Sequence, residues 1–216
     1  MFNNAFKSIL MISVMVIMAA SPSFAKEKTK ISKITTESPK AVELREALRD
    51  LWVGHIFWVR NVVLAKKMGD AEGARIAEEN VVKNARAIAD AVIPFYGKVA
   101  ADKLFGLYVG HYGAVKEYMT ATYSGNSAGK GAAVDKIKNN ATEIAAFLSS
   151  ANPNWPKETL VTLLFAHGGH HIEQIIAINE KNYSSEAQTW EHMKNHMYVI
   201  ADALGKGIVK QFPKKF

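Results

Sequence analysis

The chain repeats itself every 56 residues, so its fold must be assembled from copies of one unit. Leu48-Arg49-Asp50-Leu51-Trp52-Val53-Gly54-His55 is followed by Leu104-Phe105-Gly106-Leu107-Tyr108-Val109-Gly110-His111. Leu160-Val161-Thr162-Leu163-Leu164-Phe165-Ala166-His167 comes third, with no gap between copies. The second half of each unit keeps the same spacing. Asn84, Ile88 and Ala89 match Asn140, Ile144 and Ala145, then His196, Ile200 and Ala201. Chance can align one residue type at such a spacing. It does not readily align Leu, Leu, His, Ile and Ala in three copies.

Each unit reads as two helices. Apolar residues recur at three and four, as in Leu48, Leu51, His55, Trp58 and Val62. The spacing predicts first helices over about Val42–Lys67, Ala101–Tyr123 and Lys157–Asn182. It predicts second helices over about Ala71–Ile93, Lys130–Ser149 and Glu186–Lys210. Gly69-Asp70, Gly97, Ser124-Gly125-Asn126, Asn152-Pro153-Asn154 and Tyr183-Ser184-Ser185 supply the turns, with Asp70, Ser127 and Ser184 or Ser185 as N-caps. No stretch alternates with period two. The expected fold is therefore all-α, a helical bundle of three tandem αα-hairpins and six helices, forming one domain over residues 41–216.

Two segments precede it. Residues 1–25 carry Lys7, an apolar run from Ile9 to Ala20 and small residues at Ser23 and Ala25. The run is short for a membrane span, and the pattern is that of a secretory signal peptide. It predicts a mature chain beginning near Lys26, in the periplasm or outside the cell, with no transmembrane span. Residues 26–40 hold five Lys against two Glu and predict a flexible basic leader, suited to an anionic envelope surface if it has a partner. An exported chain without an arginine-rich stripe is a poor nucleic-acid binder. With no Cys, the chain cannot form disulfides, thiolate zinc sites, iron–sulfur clusters, covalent c-type haem or a thiol nucleophile. Phosphate-binding glycine loops are also absent from the sequence, and the Gly-x-Ser-x-Gly spacing of Gly125-Asn126-Ser127-Ala128-Gly129 follows a helix rather than a strand, so it reads as a hairpin loop and not a nucleophile elbow.

The chemistry left lies in the histidines. On a heptad, Leu48, Leu104 and Leu160 take one a position, and His55, His111 and His167 take the next. A neutral imidazole among leucines has two ring nitrogens to satisfy. If the hairpins close around a pseudo-threefold axis, the three imidazoles share a layer and can meet one ion with a coordination position left open. If the hairpins stack as an open solenoid, no shared site forms. A core histidine copied by triplication would explain the pattern without a ligand. Asn84, Asn140 and His196 place a polar residue at matching second-helix positions. The asparagines can orient imidazole rings, and His196 can itself ligate. Within the third unit, His167 and His171 stand at i and i+4, and either His170 or His171 can chelate with His167. Imidazoles without thiolates suit zinc, copper, nickel or iron, with binding expected to weaken as pH falls through about 6.5.

Ala166-His167-Gly168-Gly169-His170-His171 resembles the HxxxH-type helix of DinB-like metal-dependent helical bundles, in which a histidine from an earlier helix completes a three-histidine site. That resemblance implies His55 or His111 beside His167 and His171. The chain beyond residue 40 also resembles a family of small exported bacterial helical proteins. That likeness rests on Leu48 to Trp58, Ile93-Pro94-Phe95-Tyr96-Gly97, Ala151 to Pro156 and Lys210 to Pro213; it implies the helical fold and carries over no activity. The reading that follows is an exported helical protein binding a transition metal through His55, His111, His167, His171 and His196, with no reaction assigned. The alternative is a non-catalytic helical interaction module of the cell envelope.

Overall fold

Ser38 starts the first helix, α1 (Pro39–Met68). Its hydroxyl accepts from the Ala41 N–H at 3.2 Å, and Pro39 occupies the first turn, where a missing N–H leaves no bond unmade. The computed structural model describes residues 37–216. Five more helices follow: α2 (Ala71–Asp90), α3 (Ile93–Tyr123), α4 (Ser127–Ala151), α5 (Lys157–Asn179) and α6 (Tyr183–Gln211), with a short 3₁₀ turn at Pro213–Lys215. No strand occurs among the described residues. Pro39 and Lys40, expected in the leader, belong to α1. The signal segment and the rest of the leader up to Thr36 lie outside the described residues. Among the described residues no helix is long and apolar enough to cross a membrane.

The three hairpin turns are copies of each other at backbone resolution. Gly69, Gly125 and Lys181 adopt left-handed φ values of 76°, 69° and 58°. Behind each, the next N–H reaches back into the preceding helix: Asp70 to the Ala65 carbonyl, Asn126 to Ala121 and Asn182 to Ala177, each at 2.9 Å. This closes the first helix of each hairpin with a Schellman-type bond. The same three side chains then cap the second helix, accepting from the N–H of Gly73, Gly129 and Ser185. Asp70 was the expected cap. Asn126 and Asn182 displace the expected Ser127 and Ser184 or Ser185, because the residue after the left-handed turn is the last one outside the helix. The α3 boundary also moves. Helical geometry runs from Ile93 and breaks at Gly97 (φ 80°, ψ 170°), whereas the expected helix begins at Ala101.

Lys181 is the one residue other than glycine with positive φ among the described residues, and a left-handed L-residue costs about 1–2 kcal/mol. Lys181→Gly is expected to raise stability by about 1 kcal/mol in thermal or urea unfolding. An unchanged or lower midpoint would show that the third turn carries no such cost.

The hairpins close into a ring. Helix α1 packs on α2 and α6, α3 on α2 and α4, and α5 on α4 and α6. In an open solenoid α6 would never reach α1. The first helices line the inside, where α5 touches both α1 and α3. Equivalent residues meet at equal levels, as when the Trp52 and Tyr108 rings lie edge-on at 5.8 Å, so the inner helices run parallel.

The inner stripe of each first helix is buried at five matching positions. These are Leu48, Trp52, His55, Val59 and Val62; then Leu104, Tyr108, His111, Val115 and Tyr118; then Leu160, Leu164, His167, His171 and Gln174. This corrects the expected seam by one residue. Leu51, Leu107 and Leu163 sit in equivalent places but only half-buried, and the core side chains are Trp52, Tyr108 and Leu164. Both choices fit a 3.6-residue period. Which side of the stripe faces the axis depends on the neighbouring helices.

Candidate metal centre

The histidine layer of the ring holds His55, His111 and His167, and His171 follows one turn along α5. All four are buried, with His167 and His171 each 1% exposed. Ring centroids are 4.5 Å apart for His167 and His171, and 5.6 Å for His55 with either of them. One ligating nitrogen from each of His55, His167 and His171 lies within 4.8 Å of the other two. The Nε2 atoms of His167 and His171 are 3.2 Å apart. Two imidazoles on a tetrahedral ion with bonds of 2.0–2.1 Å would place their nitrogens about 3.3 Å apart, so this pair already has the bite of a chelate.

His111 stands beside the group without joining it. Its ring stacks on His167 at 5.4 Å with only 25° between the planes. His111 is not one of the three whose ligating nitrogens all lie within 4.8 Å of one another. His167 and His171 meet at 70°, and His55 and His171 at 89°, so their edges can converge. The pseudo-threefold layer thus exists, but His111 lies outside the converging three, and His171 takes its place. Nδ1 of His55, His167 and His171 and both ring nitrogens of His111 have no hydrogen-bond partner within the protein.

His196 lies outside the converging group and beside His170, with ring centroids 5.4 Å apart. Its Nε2 lies 2.8 Å from the Leu163 carbonyl oxygen, which can only accept, so that nitrogen carries the proton. Asn84 and Asn140 do the same at the Leu51 and Leu107 carbonyls, each at 3.0 Å. These second-helix residues pin the backbone one turn before each histidine, and the Asn140 side chain beside His111 raises its basicity against the effect of burial. Gly54 and Gly110 leave the room for this. A Cβ there would stand 3.0 and 3.3 Å from the two asparagine amides. His170 also lies outside the group. Its Nδ1 is 3.4 Å from Glu173, which is exposed, and its ring faces His196.

Burial sets the charge state. It pushes His55 down to about 3 and His111 to about 4. It drives His167 and His171 well below the ordinary imidazole value, and each is lowered further by its histidine neighbours. The four rings are therefore neutral at pH 7, the form that binds metals. This changes the acid limit expected from an exposed imidazole. In the folded protein, protons compete for these nitrogens only well below pH 6.5.

Three neighbours carry no ligand signal in the sequence. Trp52 and Tyr108 wall the histidine layer on its N-terminal side, and a cavity of about 20 Å³ lies among them, His55, His111, Leu164 and His167. Gln174, fully buried one turn beyond His171, donates to Glu186 at 3.0 Å. Glu186 in turn accepts the Arg60 fork at 2.6 and 2.9 Å, and that guanidinium holds it below the usual carboxylate range. A weaker signal for Gln174 lies in the repeat itself. The third copy replaces Val59 and Val115 by His171, and Val62 and Tyr118 by Gln174, so the repeat breaks where the polar groups gather.

Compared with known protein families, curated proteins and solved structures, the chain finds no match. The centre rests on its own geometry.

Proposed function

We propose that this is an exported protein of the bacterial envelope that binds one transition metal ion through His55, His167 and His171. The observation that carries the reading is the convergence of three neutral, buried imidazoles with their nitrogens within 4.8 Å of one another. A single buried histidine is ordinary core chemistry. Three from two helices, crowded where unpaired polar atoms are costly, call for something that uses their lone pairs. An ion supplies it. All-nitrogen ligation without thiolate favours zinc, copper, nickel or iron, and three ligands leave a position open. The DinB-like resemblance of the third unit supports the same set, since it implies an earlier histidine beside His167 and His171. Export rests on the pattern of residues 1–25. An interaction module of the envelope would leave the buried histidines without a role.

Elemental analysis tests this directly. Protein purified from its exporting host without chelator is expected to carry about one transition-metal ion per chain, and apo protein is expected to take up one equivalent. Metal-free protein that gains neither bound ion nor thermal stability on addition of Zn²⁺, Cu²⁺, Ni²⁺ or Fe²⁺ would end the proposal.

A further inference from the structure

The cavity beside the histidines has a size and a polarity that name what it can hold. It measures about 20 Å³, and a void needs roughly 10–15 Å³ to take one water. Two of the three proposed ligands, His55 and His167, line it, so it lies against the metal site. Its other walls are Trp52, Tyr108, Leu164 and His111, together with aliphatic side chains from α2 and α4. Within this apolar shell, polar atoms are left over. Both ring nitrogens of His111 and the indole N–H of Trp52 are buried without a partner. His111 can donate from one nitrogen and accept at the other, and Trp52 can only donate. A small void bordered by unused polar atoms is built for a small polar guest, and a wholly apolar one would stay dry.

Resting on the metal reading above, we propose that the open coordination position of the His55–His167–His171 site faces this cavity and accepts a single ligand of one or two non-hydrogen atoms, such as water or a diatomic, which His111 holds by a hydrogen bond. His111 is then a positioning residue and not a metal ligand. This accounts for its place in the histidine layer beside His167 and its absence from the group whose nitrogens converge. It also sets a size limit, because one small guest fills a void of about 20 Å³ and leaves no room for a ring.

Co²⁺ is the probe metal, because its visible bands follow its ligand set. Apo protein is loaded with Co²⁺ and freed of excess metal, and retention is measured. It is then titrated separately with cyanide and with imidazole. Cyanide is expected to shift the bands, and imidazole to leave them unchanged. His111→Leu is expected to retain Co²⁺ and to weaken cyanide binding about tenfold, the worth of one buried hydrogen bond. His111→Gln, which can still hydrogen-bond, should stay within about threefold of the wild type. The proposal is overturned if imidazole shifts the bands as readily as cyanide, if neither ligand does so in protein that keeps its Co²⁺, or if His111→Leu binds cyanide like the wild type. Loss of Co²⁺ from His111→Leu alone would make His111 a ligand and overturn it too. Failure of the wild-type chain to retain Co²⁺ is a separate result that removes the metal reading itself.

Discussion

Lowering the pH from 7 to 4.5 is expected to cost the metal-free protein about 5 kcal/mol of folding stability through His55 and His111 alone. In the unfolded chain an imidazole takes up its proton near pH 6.5. In the fold, burial pushes these two down to about 3 and about 4. Between those limits the unfolded state binds protons that the native state refuses. Stability is therefore full above about pH 6.5 and falls by about 1.4 kcal/mol per pH unit for each group. It stops falling only below the native values. His167 and His171 are shifted the same way and steepen the loss. A domain of this size has about 5–15 kcal/mol to lose, so the apo form is expected to unfold in mild acid. Urea midpoints measured from pH 7.5 to 4.5 check this. A flat profile would mean that the histidines are charged or open to water in the native state. Saturating metal should raise the whole curve, because the ion binds only the folded arrangement.

Replacing His55, His167 or His171 by alanine is expected to weaken metal binding by at least two orders of magnitude in each case. Structural zinc sites gain about 10–16 kcal/mol from four ligands, so one ligand is worth roughly 3 kcal/mol. His111→Ala and His196→Ala are expected to change affinity by less than about threefold in metal binding itself, because neither ring belongs to the three whose nitrogens converge. Competition against a chromogenic chelator reads these differences. A pseudo-threefold site would make His111→Ala as damaging as His55→Ala and leave His171→Ala mild. That inverse pattern would replace His171 by His111 in the ligand set. Far-UV circular dichroism keeps unfolding apart from ligand loss. Each alanine leaves a small cavity, which sets the stability loss to be separated from the loss of a ligand.

Local structure was legible because it depends on neighbours in the chain. The 56-residue spacing marks three copies, the three-and-four recurrence of Leu48, Leu104 and Leu160 with their histidines marks helices, and the absence of alternation rules out a sheet. Even the capping turns could have been read by carrying Asp70 forward to Asn126 and Asn182. The positions of His55, His111 and His167 on one inner stripe also followed from sequence, as did the i, i+4 partnership of His167 and His171.

What sequence could not supply is anything that depends on how helices far apart in the chain meet. Closure of the ring is the contact of α6 with α1, and no local periodicity encodes it. The rotation of each inner helix, which puts Trp52 rather than Leu51 in the core, is set by packing against three or four neighbouring helices at once. The ligand set turns on where each ring's nitrogens end up. His111 and His55 hold the same heptad position, yet only His55 brings a nitrogen within 4.8 Å of those of both His167 and His171. Side-chain torsions chosen by close packing, and not spacing along the chain, decide which equivalent histidine can point its lone pair at a shared ion.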